Sequence, residues 1–254
     1  MAELIDVSSN LIRVSRDIGG RTLTFETGVV GRQANAAIIA HYGNSTVMAT
    51  VVRANPREGI DFFPLTVDYR EKTSAAGKFP GGFRKREGPP NEKEILTMRM
   101  IDRPIRPLFP DGFIDEVQIQ CFVLSHDAEN DTDVLAATAA SAALAISDVP
   151  FEGPVATVRV GRIHTDDGPQ FVVNPTVSQL DFSDLDLVLA GHKDGINMIE
   201  VGAAEVDEAS MVKAIEFGYD HIREVLSLIA ELAAKSSKAK VMGELFLPTP
   251  EITA

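Results

Sequence analysis

Long segments of helical character are set into a chain whose other apolar residues fall in short runs of strand character, and few folds accept that arrangement. RTLTFETG (Arg21 to Gly28) alternates with period 2. Asn35 to Tyr42 and Thr46 to Val52 are β-rich and meet at Gly43-Asn44, the sequence mark of a hairpin. DFFPLTVDYRE supplies another strand, and GPVATVRVGRI, FVVN, LDLVLAG and INMIEVGA supply four more. The first long helix is DTDVLAATAASAALAISD (Asp131 to Asp148), with Asp131 or Thr132 as N-cap and enough alanine to lie close to a sheet. In the second, Val212, Ile215, Tyr219, Ile222, Leu226, Ile229 and Ala233 recur at helical spacing behind an acidic first turn. The expected fold is therefore α/β (α+β), mixed sheets with packed helices, including an Ala-rich helix near 132–147 and an amphipathic one near 207–235.

A third helical segment, Glu92 to Ile101, is expected to end near Arg103, because Pro104 removes a backbone donor and restricts the residue before it. Between the strand at 61–71 and this helix, Lys72 to Pro90 carries four glycines and three prolines, a loop long enough to be functional. Charge gathers here. The chain has a formal net charge of −13, yet ten of its 24 Lys and Arg residues lie between Arg70 and Arg106 against only five acids. A strongly acidic protein that collects its cations in one place has built a surface for a polyanion, and nucleic acid is the first candidate. Within this stretch Phe79 reads as a packed anchor; ahead of it Phe62 and Phe63, at a strand start, read as core.

The single Cys121 lies in the apolar run VQIQCFVL and reads as a buried reduced thiol, which fits a reducing, cytoplasmic setting. No apolar run of about 18 residues occurs, so no membrane partner is expected. The five histidines are scattered without ligand spacing, which argues against a metal site. After Lys235 the helical period is lost in SSKAKVMGELFLPTPEITA, a linker-like composition.

Several blocks in order carry a specific resemblance: ETGVVGRQANAA, DFFPLTVDYREKTSAAGKFPGGF, REG, IDRPIRPLFPDGF, SAALAISDVPF and LDLVLAG. From about Leu11 to Ala234 the chain resembles the first RNase PH-like core of the polynucleotide phosphorylase (polyribonucleotide nucleotidyltransferase) family, phosphorolytic 3′-to-5′ exoribonucleases that degrade mRNA to nucleoside diphosphates. The resemblance implies an RNase PH-like domain at 1–238, with 239–254 as a linker or the start of a helical connector. It further implies a longer enzyme with a second such core and KH and S1 domains, assembled as a homotrimer, of which this chain would be the first part.

In that family the catalytic groups lie in the second core, where Mg²⁺ and inorganic phosphate are expected. Where the second core has a Gly-Ser-Ser-Ser run, this chain reads Asn130-Asp131-Thr132-Asp133, whose carboxylates would repel phosphate. Where it has Asp-Phe-Lys, this chain reads Asp186-Leu187-Val188, and Leu180 stands near the position of another acid; Asp181 and Asp184 read as turn residues. No catalytic residue, metal or cofactor is therefore assigned to this core. The family's Phe-Phe-Arg-Arg loop, which grips single-stranded RNA at the pore of the trimer, corresponds to Phe83, Arg84, Lys85 and Arg86. Arg99 and Arg103 share a helical face that Arg106 continues, and these seven residues form the expected RNA-binding set. Arg103 reads equally well as a structural arginine paired by Asp102 and local carbonyls. Two other functions stay open: a self-sufficient RNase PH-like phosphorolytic RNase, and an inactive subunit of an exosome-like hetero-ring.

Overall fold

The alanine-rich helix lies between two sheets, and the rest of the architecture follows from that placement. The computed structural model describes residues 10–166, 168–243 and 245–247. Part of the expected linker, from residue 248 on, lies outside the described residues, as do the first nine residues of the chain.

Strands β1 (Ile12–Ile18), β2 (Arg21–Thr27), β3 (Ala36–Tyr42), β4 (Ser45–Ala54), β5 (Leu65–Arg70) and β6 (Glu116–Ser125) form one sheet in the order β1-β2-β3-β4-β6-β5. All its pairings are antiparallel except β5 with β6. A second sheet, in the order β10-β9-β7-β8, comprises β7 (Ala156–Thr165), β8 (Gly168–Val173), β9 (Ser183–His192) and β10 (Gly195–Ala203). Four α-helices complete the fold: α1 (Glu92–Ile105), α2 (Thr132–Ile146), the single-turn α3 (Val177–Leu180) and α4 (Glu208–Ser236).

Helix α2 packs against β3, β4 and β6 on one side and against β7 and α4 on the other. Fourteen of its residues are buried, and the small side chains are what allow two sheets to approach one helix. Asp131 is its N-cap, accepting from Thr132 N. The residues before it are anchored by Asp127, whose carboxylate accepts from the backbone N–H groups of Asn44, Glu129 and Asn130 and from the Ser45 hydroxyl. Those hydrogen bonds hold the carboxyl far below its ordinary range against the opposing effect of burial.

The Gly43-Asn44 hairpin forms as expected, joining β3 to β4. Gly43 is left-handed at φ +59°, and a Cβ there would strike the Asn130 amide. Gly43→Ala is therefore expected to cost about 2 kcal/mol, roughly half from the left-handed backbone and half from displacing Asn130. A thermal melt showing no loss would contradict this.

Three expectations about elements are corrected. Helix α1 runs through Pro104 to Ile105, because the proline removes only one donor in the last turn. The Arg106 N–H still reaches Asp102 O, and the freed end is met by Asn197 Nδ2, which donates to Pro104 O at 2.9 Å. The strand expected at 61–71 is only Leu65–Arg70, and Phe62 is 63% exposed, whereas Phe63 packs against Phe109 and Phe113. On α4 the buried stripe is Ala214, Gly218, Ile222, Val225, Leu228, Ile229 and Leu232, with Val212 exposed. Small residues at 214 and 218 set the face that meets the second sheet, and a Cβ on Gly218 would lie 2.5 Å from Leu189 Cδ1.

The segment after α4 is docked, not free. Lys238 N donates to Ile146 O, Val241 N to Asp148 O, and Phe246 N to Gly112 O. Lys240 Nζ donates to the carbonyls of Leu144, Ala145 and Ser147, capping the C-terminal end of α2. Burial lowers this ammonium to about 8. Cys121 is fully buried in β6 and its thiol is pushed up to about 12 by burial, as befits an inert core cysteine.

Candidate nucleic-acid interface

Between β5 and α1 the chain makes a long excursion whose base is pinned and whose crown is free. At the base, Thr73 donates to Glu87 Oε1 from both its N–H and its hydroxyl at 2.9 Å, and Arg70 Nη2 donates to Gly88 O at 2.8 Å. A 3₁₀ turn, Thr73–Ala76, is tied to the end of β6 by His126 N donating to Ala75 O. Above this base, residues 81–89 are all exposed. Gly82 at φ +73° and Lys85 at φ +50° turn the crown. A left-handed lysine is uncommon, so Gly82 carries the bend more easily than its neighbour.

The crown presents Phe83, Arg84, Lys85 and Arg86 together. Phe83 is fully exposed and Phe79, expected to be a packed anchor, is 92% exposed. Among the described residues Phe79 is not one of the side chains packed against the core, so it anchors nothing. Arg84, Lys85 and Arg86 have no ion-pair partner among the described residues. Exposed rings beside unpaired cations match what sequence-tolerant binding of a single strand requires: bases stack on the rings while cations follow the phosphates.

The other three candidates are placed differently. Arg106 is held by both oxygens of Asp102 and donates to Phe63 O and Leu65 O, so its guanidinium fork is already used. Arg103 pairs with Glu200 of β10, not with Asp102. Arg99 is exposed with no ion pair among the described residues, beside a hollow of about 260 Å³ that it shares with Val67, Met98, Asp102 and Arg103. The seven residues therefore do not form one surface of free charge: the crown is free, and the helix face is largely neutralised.

A larger cleft of about 590 Å³ opens between α1, the start of α2 and strands β7, β9 and β10. It is the position at which the sequence pattern put the altered phosphate site. Arg159 of β7, which sequence reading overlooked, stands in its wall. Its Nη1 lies 2.7 Å from both oxygens of Asp186, and its Nη2 lies 2.5 Å from Asp133 Oδ2. Asp133 also accepts from Val134 N, so it satisfies part of the helix N-terminus that would otherwise face a ligand. Burial pushes the Asp133 carboxyl up, with Arg159 opposing. Nearby, Lys93 Nζ sits 3.0 Å from both Glu71 Oε1 and Asp131 Oδ1. Burial would raise Asp131, but Lys93 and Arg159 outweigh it and hold the carboxyl below its ordinary range.

These residues do not fit phosphate or Mg²⁺. Five acids line the cleft against Lys93 and Arg159, and both cations are engaged by carboxylates, so an anion finds no free charge. Val188 is buried in β9 and offers no cation where the second-core pattern has lysine. Asp186 is committed to Arg159, and Asp184, in β9 rather than in a turn, is tied to Arg162 and His164, whose hydrogen bonds lower it to about 2. Asp181 caps the C-terminal end of α3. The signal that could have identified Arg159 is a lone arginine within the apolar run ATVRV, since a charge there needs a buried partner.

Comparison with known proteins identifies relatives of the chain. Relatives include the polyribonucleotide nucleotidyltransferases of Nitrobacter winogradskyi, 53% identical over 89% of this chain and 31% of the relative, and of Koribacter versatilis, 54% identical over 87% and 27%. The polyribonucleotide nucleotidyltransferase of Rhodospirillum centenum is 55% identical over 87% of this chain and 31% of its own length. The chain thus spans about a third of the length of these relatives. In structure it is similar to a chain described as "archaeoglobus fulgidus exosome with RNA bound to the active site", with a TM-score of 0.61 and 17% identity, covering 85% of this chain and 86% of that one. Among the described residues no helix is long and apolar enough to cross a membrane. The family models for domain 1 and domain 2 of the 3′ exoribonuclease family match residues 19–150 and 153–221 in succession, and the chain, with its two sheets sharing one helix, belongs to that RNase PH family.

Proposed function

We propose that this chain is the first RNase PH-like core of a polyribonucleotide nucleotidyltransferase, and that it guides single-stranded RNA without carrying out the phosphorolysis itself. One contrast carries the reading: Arg84, Lys85 and Arg86 stand on an exposed crown with no ion pair among the described residues, while Arg159 and Lys93, in the cleft, are consumed by internal carboxylates. Free charge invites a polyanion, and neutralised charge does not. In the whole enzyme the same reading places Mg²⁺ and inorganic phosphate in a second core, beside KH and S1 domains, in a cytoplasmic homotrimer acting on mRNA. Three crowns about one axis would form a cationic constriction for the strand.

The isolated chain is accordingly expected to release no nucleoside diphosphate from poly(A) in the presence of phosphate and Mg²⁺. Thin-layer or chromatographic detection of ADP checks this. Sustained, phosphate-dependent turnover would overturn the proposal in favour of a self-sufficient phosphorolytic RNase.

A further inference from the structure

We propose that Glu94 is a positioning residue for the RNA-gripping crown, its carboxylate clamping the two stems of the loop together with one oxygen on each. Glu94 is 4% exposed, unusual for a glutamate on the first turn of a helix that begins in a surface loop. Its Oε1 accepts from Glu71 N at 2.8 Å, on the chain entering the loop. Its Oε2 accepts from Asn91 N at 2.7 Å, on the chain leaving it. Residues 72–90, the crown included, are strung between those two amides.

The contact with Asn91 completes a capping box, since the Asn91 side chain in turn accepts from Glu94 N. A capping box alone needs only one of the two oxygens, and the second is spent on a residue 23 positions earlier. Arg70 Nε stands 3.4 Å from Glu94 Oε1, keeping a positive charge beside the clamp. The entering stem is also fixed laterally, because the Glu71 side chain accepts from Tyr69 OH at 2.6 Å and pairs with Lys93. With both stems fixed, the crown has a defined base from which to project, and less order is lost when a strand binds. This inference rests on the RNA reading of the crown and adds the group that holds the crown in place.

Glu94→Gln keeps the shape but turns one oxygen into a donor facing a donor, so one stem must let go. Glu94→Asp keeps the charge on a stem too short to reach both amides. Asn91→Ala removes half of the capping box and leaves both Glu94 contacts intact. Two readouts are compared in these variants: hydrogen exchange at the amides of Glu71 and Asn91, and affinity for an oligoadenylate by fluorescence anisotropy, with Arg84→Ala/Arg86→Ala as reference.

The expected result is exchange about tenfold faster at one or both amides in Glu94→Gln and Glu94→Asp, with affinity reduced roughly fivefold, while Asn91→Ala changes each less than twofold. The inference is overturned if exchange in the Glu94 variants matches the parent, if Asn91→Ala reproduces the Glu94→Gln effects, or if affinity holds in the Glu94 variants while the arginine reference loses it. Should the arginine reference itself bind like the parent, the RNA reading of the crown fails, and any positioning of RNA by Glu94 fails with it. In that case the exchange rates separately decide whether Glu94 clamps the stems.

Discussion

Replacing Arg159 with methionine is expected to destabilise the chain by roughly 3–5 kcal/mol at neutral pH, because it strands the Asp133 carboxylate inside the protein without its counter-charge. For a domain of this size that corresponds to a fall in Tm of about 10 °C. Coulomb attraction between Arg159 and its two aspartates does not measure the effect, since desolvation offsets much of that gain when the triad forms. What the substitution exposes is the cost of a buried, unmatched charge. Asp186, about half exposed, contributes less, because water already screens it.

The pH dependence has a definite sign. Burial already pushes Asp133 above the ordinary carboxylate range, and without Arg159 it moves further up. From about pH 4 upward the unfolded chain loses this proton while the folded variant keeps it, so the variant becomes less stable as pH rises and recovers as pH falls toward 4. Adding Asp133→Leu to Arg159→Met should restore most of the loss, since an apolar pair can fill the space without desolvating ions. Melting curves at pH 4.5 and 7.5 check both statements. A single variant that melts within a degree of the parent at pH 7.5 would mean that the triad is not closed.

The second large effect is expected at the crown, in binding rather than in folding. Arg84→Ala, Lys85→Ala and Arg86→Ala together should weaken single-stranded RNA binding by about a hundredfold at low salt. They should also reduce the slope of log K against log salt by about 2, since each phosphate contact to a single strand contributes roughly 0.7. Phe83→Ala should cost about 1–3 kcal/mol of binding and leave the salt slope unchanged, because a stacking platform releases no counterions. Neither change should move Tm by more than about 1 °C, since Phe83 is fully exposed and the three cations make no ion pair among the described residues. Anisotropy titrations across a salt series separate the two signatures. An unaltered slope in the triple variant would remove the crown from the RNA path.

Much of the fold was legible because its strands obey local rules. Alternation marked β2, β-rich runs marked β3 and β4, the Gly43-Asn44 turn fixed one register, and the alanines of α2 announced a helix held at close quarters. The match to the 3′ exoribonuclease family bears out the family reading drawn from the ordered sequence blocks. Strand β1 was not legible: IRVSRDI offers only Ile12, Val14 and Ile18 to the core and reads as a polar lead-in until β2 pairs with it. Nor could local pattern show that β5 adds in parallel beside β6, because that pairing joins segments some fifty residues apart.

At the site, the sequence located the charged loop but not which of its cations are free. Arg103 and Arg106 look like Arg84 and Arg86 in the text. Their difference lies in Glu200 and Asp102, of which the first is brought close only by the packing of α1 against β10. Phe79 and Phe62 were misjudged for the same reason, since an aromatic residue does not declare whether a core lies beneath it.

Helix α2 belongs in sequence to the stretch matched by the first family model, yet it covers strands of both sheets. Cutting the chain at residues 150–153, where the two models divide it, would therefore not yield two autonomous pieces. One half would keep a helix with a bare side, and the other, though still covered by α4, would lose the helix that packs against β7. Heredity should treat the two stretches as a single unit: a larger residue accepted on β7 needs a smaller one on α2, and that in turn constrains β3 and β4.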